Sequence, residues 1–189
     1  DEIRLAFSSR YNVYNLCAAY ATAALVGVDG KCITDALSDF VMKNGRNVRF
    51  AAGQNSGMLI TSKHENSTSY NQSLEYVARQ ETPATLIIIV DAISRKYYTA
   101  ETSWLWDISF EMLKNSNLKQ IILSGKYAYD LALRFEYVEL GNIPVVTEPD
   151  LDKMAAMLAD EKAGPIFAVT CFSDKEKLLS RVKVLKAGE

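Results

Sequence analysis

The side chains that could act as a nucleophile and its base are few in this sequence and lie far apart. Cys171 follows a predicted strand at residues 166–170, where α/β proteins place reactive groups. A nucleophilic cysteine needs a nearby base, but the single histidine, His64, lies in a polar stretch far earlier in the chain. We therefore expect Cys171 to be an inert core residue and His64 to lie in a surface loop. Cys17 and Cys32 are expected to pack as small apolar residues.

The familiar nucleotide and metal motifs are missing from this sequence. It contains no G-x-x-x-x-G-K-[ST] phosphate loop, no G-x-G-x-x-G after a strand, and no H-E-x-x-H or G-x-S-x-G. The three cysteines are widely spaced and form no C-x-x-C pair, so we expect neither a zinc site nor a disulfide framework. Any ATP would have to be held mostly by another domain.

Three stretches are too specific in composition for ordinary packing. The first, RYNVYN at residues 10–15, opens an alanine-rich helix. The second, SWLWDISFE at residues 103–111, holds both tryptophans of the chain within four residues. The third, SGKYAYDLALR at residues 124–134, follows a predicted strand.

The elements that position these stretches follow from hydrophobic periodicity. Continuous β-branched runs at residues 85–90, 119–123 and 165–170 predict strands that are covered on both faces. Strands alternating with helices of about ten residues predict a mostly parallel, doubly wound sheet with helices on both faces. The predicted helices between and after these strands lie at residues 70–79, 106–114, 127–135, 151–159 and 174–185.

The first 45 residues have a different pattern. Apolar residues at helical spacing predict one helix over residues 10–26, with one apolar stripe, and a second over residues 33–42. Residues 48–52 and 58–61 then predict two short strands around a turn at residues 53–57. The best domain boundary therefore lies near Asn44-Gly45-Arg46, with two helices in residues 1–45 and one α/β domain in residues 46–189.

Composition limits the possible functions. The chain has 189 residues, of which 49% are hydrophobic and 23% charged, with a net charge of −2. This near-neutral balance argues against a nucleic-acid partner, and no apolar run reaches the roughly 20 residues of a membrane span. The start lacks a methionine and a basic leader region, so we expect a cytoplasmic protein and a piece of a longer chain.

The three stretches resemble the MurT family, the Mur-ligase-like subunit of lipid II isoglutaminyl synthase. Its members read R-Y-N-x-Y-N-x-x-A-A, then G-R in a linker, then S-W-L-W-D-x-x-F-E and S-G-x-R-x-x-D-x-A-L-R. The resemblance covers about residues 10–183, and its Trp-rich motif is highly specific. It implies that residues 1–45 are the closing helices of an ATP-binding central domain and that residues 46–189 are a Rossmann-like C-terminal domain.

The resemblance also implies the chemistry of the complete enzyme. ATP, with Mg²⁺, would activate the D-Glu α-carboxylate of lipid II, and ammonia from a GatD-like glutaminase would convert it to D-isoglutamine. This chain alone is expected to be inactive and to bind neither ATP nor Mg²⁺ tightly. Two alternatives remain: a non-catalytic docking module that completes the active site of a glutamine amidotransferase partner, and a divergent Mur or folylpolyglutamate-type ligase domain.

Three residues match cofactor-binding positions of the family. Asn12 matches the asparagine whose amide bonds the adenine of ATP, and its alternative is a helix-terminal role. Arg46 matches the linker arginine that reaches the ribose or phosphates, and its alternative is a solvated side chain. Lys63 stands at the lysine of a K-N-P-x-G stretch, which here lacks the proline and glycine.

Two carboxylates are the candidate catalytic residues. Within the family, D-G-x-D-x-S-W-L-W-D lends an acidic residue to the Cys–His pair of the glutaminase, where it would fix the tautomer of the histidine. Glu101 stands at the second aspartate of D-G-x-D, and Tyr98-Thr99 replace the residues before it. Asp107 keeps the family identity, but could instead cap the following helix. Asp91, at a strand end, is a more distant candidate.

The aromatic and charged residues of the other two stretches have more than one interpretation. Trp104 and Trp106 suit either interface anchors or core packing. Asp130 and Arg134 stand four residues apart on one predicted helix and could form an ion pair.

Overall fold

The structure, a computed structural model, describes residues 10–38, 47–63, 66–92 and 101–185. Two compact units divide the chain, one of residues 1–45 and one of residues 46–189. No helix in the described ranges is both long and apolar enough to cross a bilayer.

The first unit contains two helices, α1 (Arg10–Leu25) and α2 (Gly30–Ser38), which contact each other. The Asp29 carboxylate accepts hydrogen bonds from the backbone N–H groups of Lys31 and Cys32 and so begins α2. Ile33 is the one buried side chain among residues 13–38. Cys17 and Cys32 are exposed, so the prediction that both pack in a core is wrong for the described residues.

The predicted apolar stripe of α1 is mostly exposed as well. Val13, Ala21 and Ala24 are exposed, while Leu16 and Tyr20 are half-buried. The periodicity identified the helix correctly but not its burial, because α2 is the only described element that packs on it within this unit.

The second unit is built on a seven-stranded sheet in the order β5-β4-β3-β6-β2-β1-β7. Five neighbouring strands, from β5 to β2, are parallel, whereas β1 runs antiparallel to both β2 and β7. The predicted Rossmann-like, mostly parallel α/β fold is therefore confirmed. The strands are β1 (Asn47–Ala52), β2 (Asn55–Ser62), β3 (Ala84–Ile89), β4 (Leu118–Ser124), β5 (Val145–Glu148), β6 (Ile166–Cys171) and β7 (Lys183–Val184).

Helices cover both faces of this sheet. They are α3 (Ser67–Ala78), α4 (Ala128–Phe135), α5 (Leu151–Ala159) and α6 (Lys175–Leu179). Side chains from α3 and α4 pack in one apolar cluster with Leu86 and Ile88 of β3. Those from α5 and α6 pack in another with Ile87 and Ile89. Because successive strand residues point to opposite faces, the run of isoleucines in β3 supplies both cores.

Short 3₁₀ helices replace two of the predicted α-helical stretches. The predicted helix at residues 106–114 is a pair of 3₁₀ helices, Ser103–Asp107 and Phe110–Asn115. The predicted helix at residues 174–185 is a 3₁₀ turn, Phe172–Asp174, followed by α6, which ends at Leu179 before β7. A further 3₁₀ turn, Glu161–Ala163, precedes β6.

Candidate functional site

The carboxyl ends of the five parallel strands meet at one edge of the sheet. Lys63 follows β2, Asp91 follows β3 after Val90, Gly125 follows β4, and Asp174 follows β6 within the 3₁₀ turn. The chain leaves β3 toward β4 on one side, whereas β6 lies on its other side next to β2. The ends of β3 and β6 therefore form the topological switch point where open α/β sheets bind ligands.

A buried carboxylate ties these two strand ends together. Asp174 is fully buried, and its two oxygens accept hydrogen bonds from the backbone N–H groups of Asp91 (2.9 Å) and Ala92 (3.0 Å). Since an unmade hydrogen bond to a buried backbone N–H is costly, this carboxylate fixes the direction in which the chain leaves β3. Glu101 follows nine residues after Ala92 in the chain.

Asp91 joins the same edge to β4 and α6. One carboxylate oxygen accepts the backbone N–H of Lys126 at 3.0 Å, and the other lies 2.8 Å from Nζ of Lys177. The hydrogen bond to Asp91, and then its negative charge, raise the pKa of Lys177. Gly125 has φ of +92°, and a side chain there would collide with the Val90 carbonyl. Asp91, the more distant catalytic candidate of the sequence, thus has structural partners at the end of β3.

Both candidate catalytic carboxylates lie in residues 101–115, which we call the Trp segment. Trp104 is buried against the ring of Tyr70 in α3, with centroids 5.3 Å apart. Trp106 is half exposed and packs edge-on against Tyr137, also at 5.3 Å. The sequence left core packing and surface roles open for both tryptophans. Trp104 is a core residue, whereas Trp106 is partly exposed at the surface.

Tyr70 adds a buried polar contact below the Trp segment. Its hydroxyl lies 3.3 Å from Sγ of Cys171, and both side chains are fully buried. Burial, followed by the interaction with Cys171, raises the pKa of Tyr70 well above its ordinary value. The burial of Cys171 agrees with the expectation that it is a core residue.

Arg134 of α4 holds the Trp segment from beneath. Its guanidinium lies over the rings of Trp106 and Phe110, at 5.5 and 5.6 Å from their centroids. Nη2 donates to the Ile108 carbonyl at 3.0 Å and to the Glu111 carboxylate at 2.7 Å. Arg134 is buried, and this set of contacts fixes the backbone between the two 3₁₀ helices. The expected pair between Asp130 and Arg134 does not form, because Asp130 accepts the hydroxyl of Thr102 instead.

A side chain of α3 also forms a hydrogen bond with the Trp segment. The backbone N–H of Ser109 donates to the side-chain oxygen of Asn71 at 2.9 Å. Arg134 and Asn71 thus meet the segment near the turn between its two helices. Neither contact is visible in local sequence spacing, because each partner lies more than twenty residues away.

Glu101 is exposed but held in place. Its carboxylate accepts the backbone N–H of Ser103 at 2.8 Å, and the next residue, Thr102, is tied to Asp130 at 2.9 Å. Hydrogen bonds from the side chain and then the backbone of Ser103 lower the pKa of Glu101. Glu101 is therefore a solvent-facing carboxylate that remains ionised at neutral pH.

Asp107 ends the first 3₁₀ helix and is also exposed. The residue that precedes the next helix is Ser109, so Asp107 does not cap it, contrary to the alternative drawn from the sequence. Among the described residues, none donates a hydrogen bond to the Asp107 carboxylate. Glu101 and Asp107 thus stand at the two ends of one short, ordered segment.

The roles of the three predicted cofactor-binding residues stay predictions. Asn12 lies in α1, and Arg46, like His64, Tyr98 and Thr99, is outside the described residues. Lys63 is exposed at the carboxyl end of β2, and its backbone N–H donates to Oγ of Ser69. One exposed lysine is not a nucleotide site, so no ATP geometry follows from it. Across the described ranges, no three His, Cys, Asp or Glu side chains are placed to hold a metal ion.

Comparison with known proteins gives a consistent result. The family model described as MurT ligase C-terminal matches residues 64–173. The MurT subunit of lipid II isoglutaminyl synthase (glutamine-hydrolyzing) from Staphylococcus aureus is 28% identical over 152 residues, which cover 80% of this chain and 34% of that protein. Its counterpart from Streptococcus pneumoniae is 27% identical over 191 residues, which cover 98% of this chain and 42% of that protein. The chain thus spans well under half the length of these relatives.

Solved structures show the same fold. MurF from Acinetobacter baumannii superposes with a TM-score of 0.63 at 18% identity, covering 94% of this chain and 38% of that one. MurC from Thermotoga maritima gives a TM-score of 0.61 at 11% identity, covering 96% of this chain and 40% of that one. At these identities the likeness concerns the fold alone.

Proposed function

Because the chain belongs to the MurT ligase C-terminal family, we propose that it is the C-terminal part of the ligase subunit of a lipid II isoglutaminyl synthase. The complete enzyme uses ATP and Mg²⁺ to activate the D-Glu α-carboxylate of lipid II as an acyl phosphate. Ammonia released from glutamine by a GatD-like glutaminase then displaces the phosphate and forms the D-isoglutamine amide. Residues 1–45 are the closing helices of the ATP-binding domain, and the enzyme works in the cytoplasm.

The observation that carries this proposal is the arrangement of the Trp segment. The family match includes this segment, and Arg134, Asn71 and Trp104 fix its backbone. Glu101 then stands at its start as an exposed carboxylate whose pKa is lowered by Ser103. An ionised carboxylate that bonds a partner histidine would hold the correct tautomer and stabilise the imidazolium, as in other catalytic triads.

The second candidate is a docking module that completes the glutaminase without a ligase reaction of its own. The replacement of D-G by Tyr98-Thr99 before Glu101 favours it. Both candidates require binding to the glutaminase, but only the first requires amidation of lipid II by the complete ligase subunit.

The test measures glutamine hydrolysis by the glutaminase subunit from the same organism, alone and with this chain. We expect the chain to accelerate glutamine hydrolysis. Glu101→Gln should lower the accelerated rate by roughly 10²- to 10⁴-fold, since an amide cannot stabilise the imidazolium. Glu101→Asp, the residue type of the family, should restore it. Asp107→Asn should change the rate only a few-fold, and Glu161→Gln, an exposed control, should leave it unchanged.

The lowered pKa of Glu101 sets the pH range in which its carboxylate can act. Because its folded-state pKa is lowered, Glu101 stays ionised down to the ordinary glutamate range and loses its charge only below it. Protonation of Glu101 should therefore not limit hydrolysis near neutral pH. Equal rates for Glu101→Gln and the unmodified chain would overturn the role of Glu101. Loss only with Asp107→Asn would transfer that role to Asp107.

A further inference from the structure

Four apolar or aromatic side chains form an exposed patch beside the Trp segment, which we call the aromatic patch. Trp106 is 50% exposed, Tyr129 68%, Leu133 51% and Tyr137 67%. Tyr129 and Leu133 stand one turn apart on α4, Tyr137 follows four residues later, and Trp106 packs on Tyr137. The other exposed large apolar side chains described in this unit, Val145, Phe172 and Val184, stand in separate elements.

The aromatic patch is ordered before any partner arrives. Trp106 is held between the ring of Tyr137 and the buried guanidinium of Arg134. Tyrosine and tryptophan bury a large area while losing little conformational entropy, and such side chains dominate binding energy at protein interfaces. A rigid surface of this kind binds with a smaller entropic loss than a flexible one.

Exposed acidic side chains stand next to the patch residues in the chain, and we call them the acidic rim. The segments 101–115 and 126–139 contain six carboxylates and three basic residues, and one of the basic residues, Arg134, is buried. Asp107, Asp130 and Glu136 are exposed and stand directly beside Trp106, Tyr129 and Tyr137 in the chain. A negative rim around an apolar centre repels nucleic acid and anionic lipid surfaces, and it selects a partner of opposite charge.

We propose that the aromatic patch is the docking surface for a second protein subunit, one that presents an apolar centre surrounded by arginine and lysine. A second copy of this chain fits poorly, because a two-fold contact through the patch would bring two acidic rims together. The inference rests on the proposed function only for the identity of that partner, which is the glutaminase subunit.

The experiment measures the Kd between the full chain and the purified glutaminase subunit of the same organism. Tyr129→Ala combined with Leu133→Ala removes two exposed side chains from the patch, so the fold should persist, as circular dichroism will verify. We expect this variant to weaken binding at least tenfold, as for interface anchors. Leu25→Ala, a leucine that is 87% exposed elsewhere in the chain, is the matched control and should bind normally.

A charge reversal tests the rim. Glu136→Lys should slow association and weaken binding by roughly three- to tenfold at low salt, with a smaller effect at high salt, whereas Glu161→Lys should not. Normal binding by both patch variants would overturn the docking surface but leave the proposed function intact. No binding by the unmodified chain would overturn the partnership itself. A dimer of this chain that the double alanine variant dissociates would assign the patch to self-association instead.

Discussion

At the scale of single residues, Arg134 shows how a charge can be buried in this fold. Arg134 is 5% exposed, yet its guanidinium bonds to a carbonyl and a carboxylate and lies over two aromatic rings. Partial burial alone would raise the pKa of Glu111, but the hydrogen bond and charge of Arg134 lower it overall. The planar fork of an arginine makes these contacts at once, and a lysine cannot.

Replacing Arg134 should therefore destabilise the domain strongly. We expect Arg134→Met to lower the free energy of unfolding by about 3 kcal/mol, because its charge-assisted hydrogen bonds to the Ile108 carbonyl and the Glu111 carboxylate are lost. Arg134→Lys should recover only about a third of this. Urea unfolding monitored by tryptophan fluorescence gives both values. The control is Lys114→Ala, which breaks an exposed pair with Glu139 and should change stability by less than about 0.5 kcal/mol. Equal losses for Arg134→Met and Lys114→Ala would contradict the anchoring role.

The role of a single residue could be predicted from the sequence where it depends on neighbouring positions. It could not be predicted where it depends on partners that lie far away in the chain. The motif that contains Glu101 and Asp107 is recognisable from the sequence alone, and the catalytic roles of these two carboxylates stay predictions. The partners of Asp130 and Arg134 were not, because Thr102 and Glu111 lie more than twenty residues away. Helical spacing indicated a pair that longer-range packing replaced.

At the scale of elements, the hairpin of β1 and β2 depends on one close cross-strand contact. Phe50 of β1 pairs with Gly57 of β2, and the Phe50 ring occupies the space where a side chain of residue 57 would lie. Phe50 is fully buried in the cluster beneath α5 and α6. Gly57 therefore lies inside the strand, while the hairpin turn itself consists of Gly53, with φ of +59°, and Gln54.

We expect Gly57→Ala to lower the free energy of unfolding by about 2–3 kcal/mol, because the added methyl group collides with a buried ring. Gly141→Ala meets no neighbour within 4 Å, but Gly141 has φ of +66°, so it should cost about 1 kcal/mol through backbone strain alone. Urea midpoints measure both. In a Phe50→Leu background the penalty of Gly57→Ala should fall, since the two sites share one space. Additive penalties would show that the ring does not cause the effect.

The bounds of helices and strands were predicted well where a short run of residues determines the burial or the cap. The isoleucine-rich β3 was predicted within one residue at each end, and α5 was predicted at its observed bounds. One α-helix was predicted over residues 106–114, where the Trp segment instead forms two 3₁₀ helices that contact Tyr70 and Arg134. Likewise α6 ends early because Leu185 donates its backbone N–H to Arg49 of β1 beside β7, a tertiary contact that periodicity does not reveal.

At the scale of the whole molecule, the described apolar cores belong entirely to the second unit. Both clusters, one on each face of the sheet, contain described residues only from position 48 onward. The doubly wound layering was predictable, because continuous β-branched runs indicate strands that are covered on both faces. The division at residue 45 coincides with the position at which the helical pattern of the sequence changes.

A protein of residues 46–189 should therefore fold by itself. We expect a cooperative urea transition with the same midpoint as the main transition of the full chain, since the buried apolar side chains of both sheet faces are retained. A peptide of residues 1–45 should show no such transition, because Ile33 is the one buried side chain among its described positions 13–38. Residues 46–189 should also retain the affinity of the full chain for the glutaminase, because the aromatic patch lies within them. A clearly lower midpoint, or aggregation of residues 46–189, would show instead that the two helices belong to the same folding unit as the sheet.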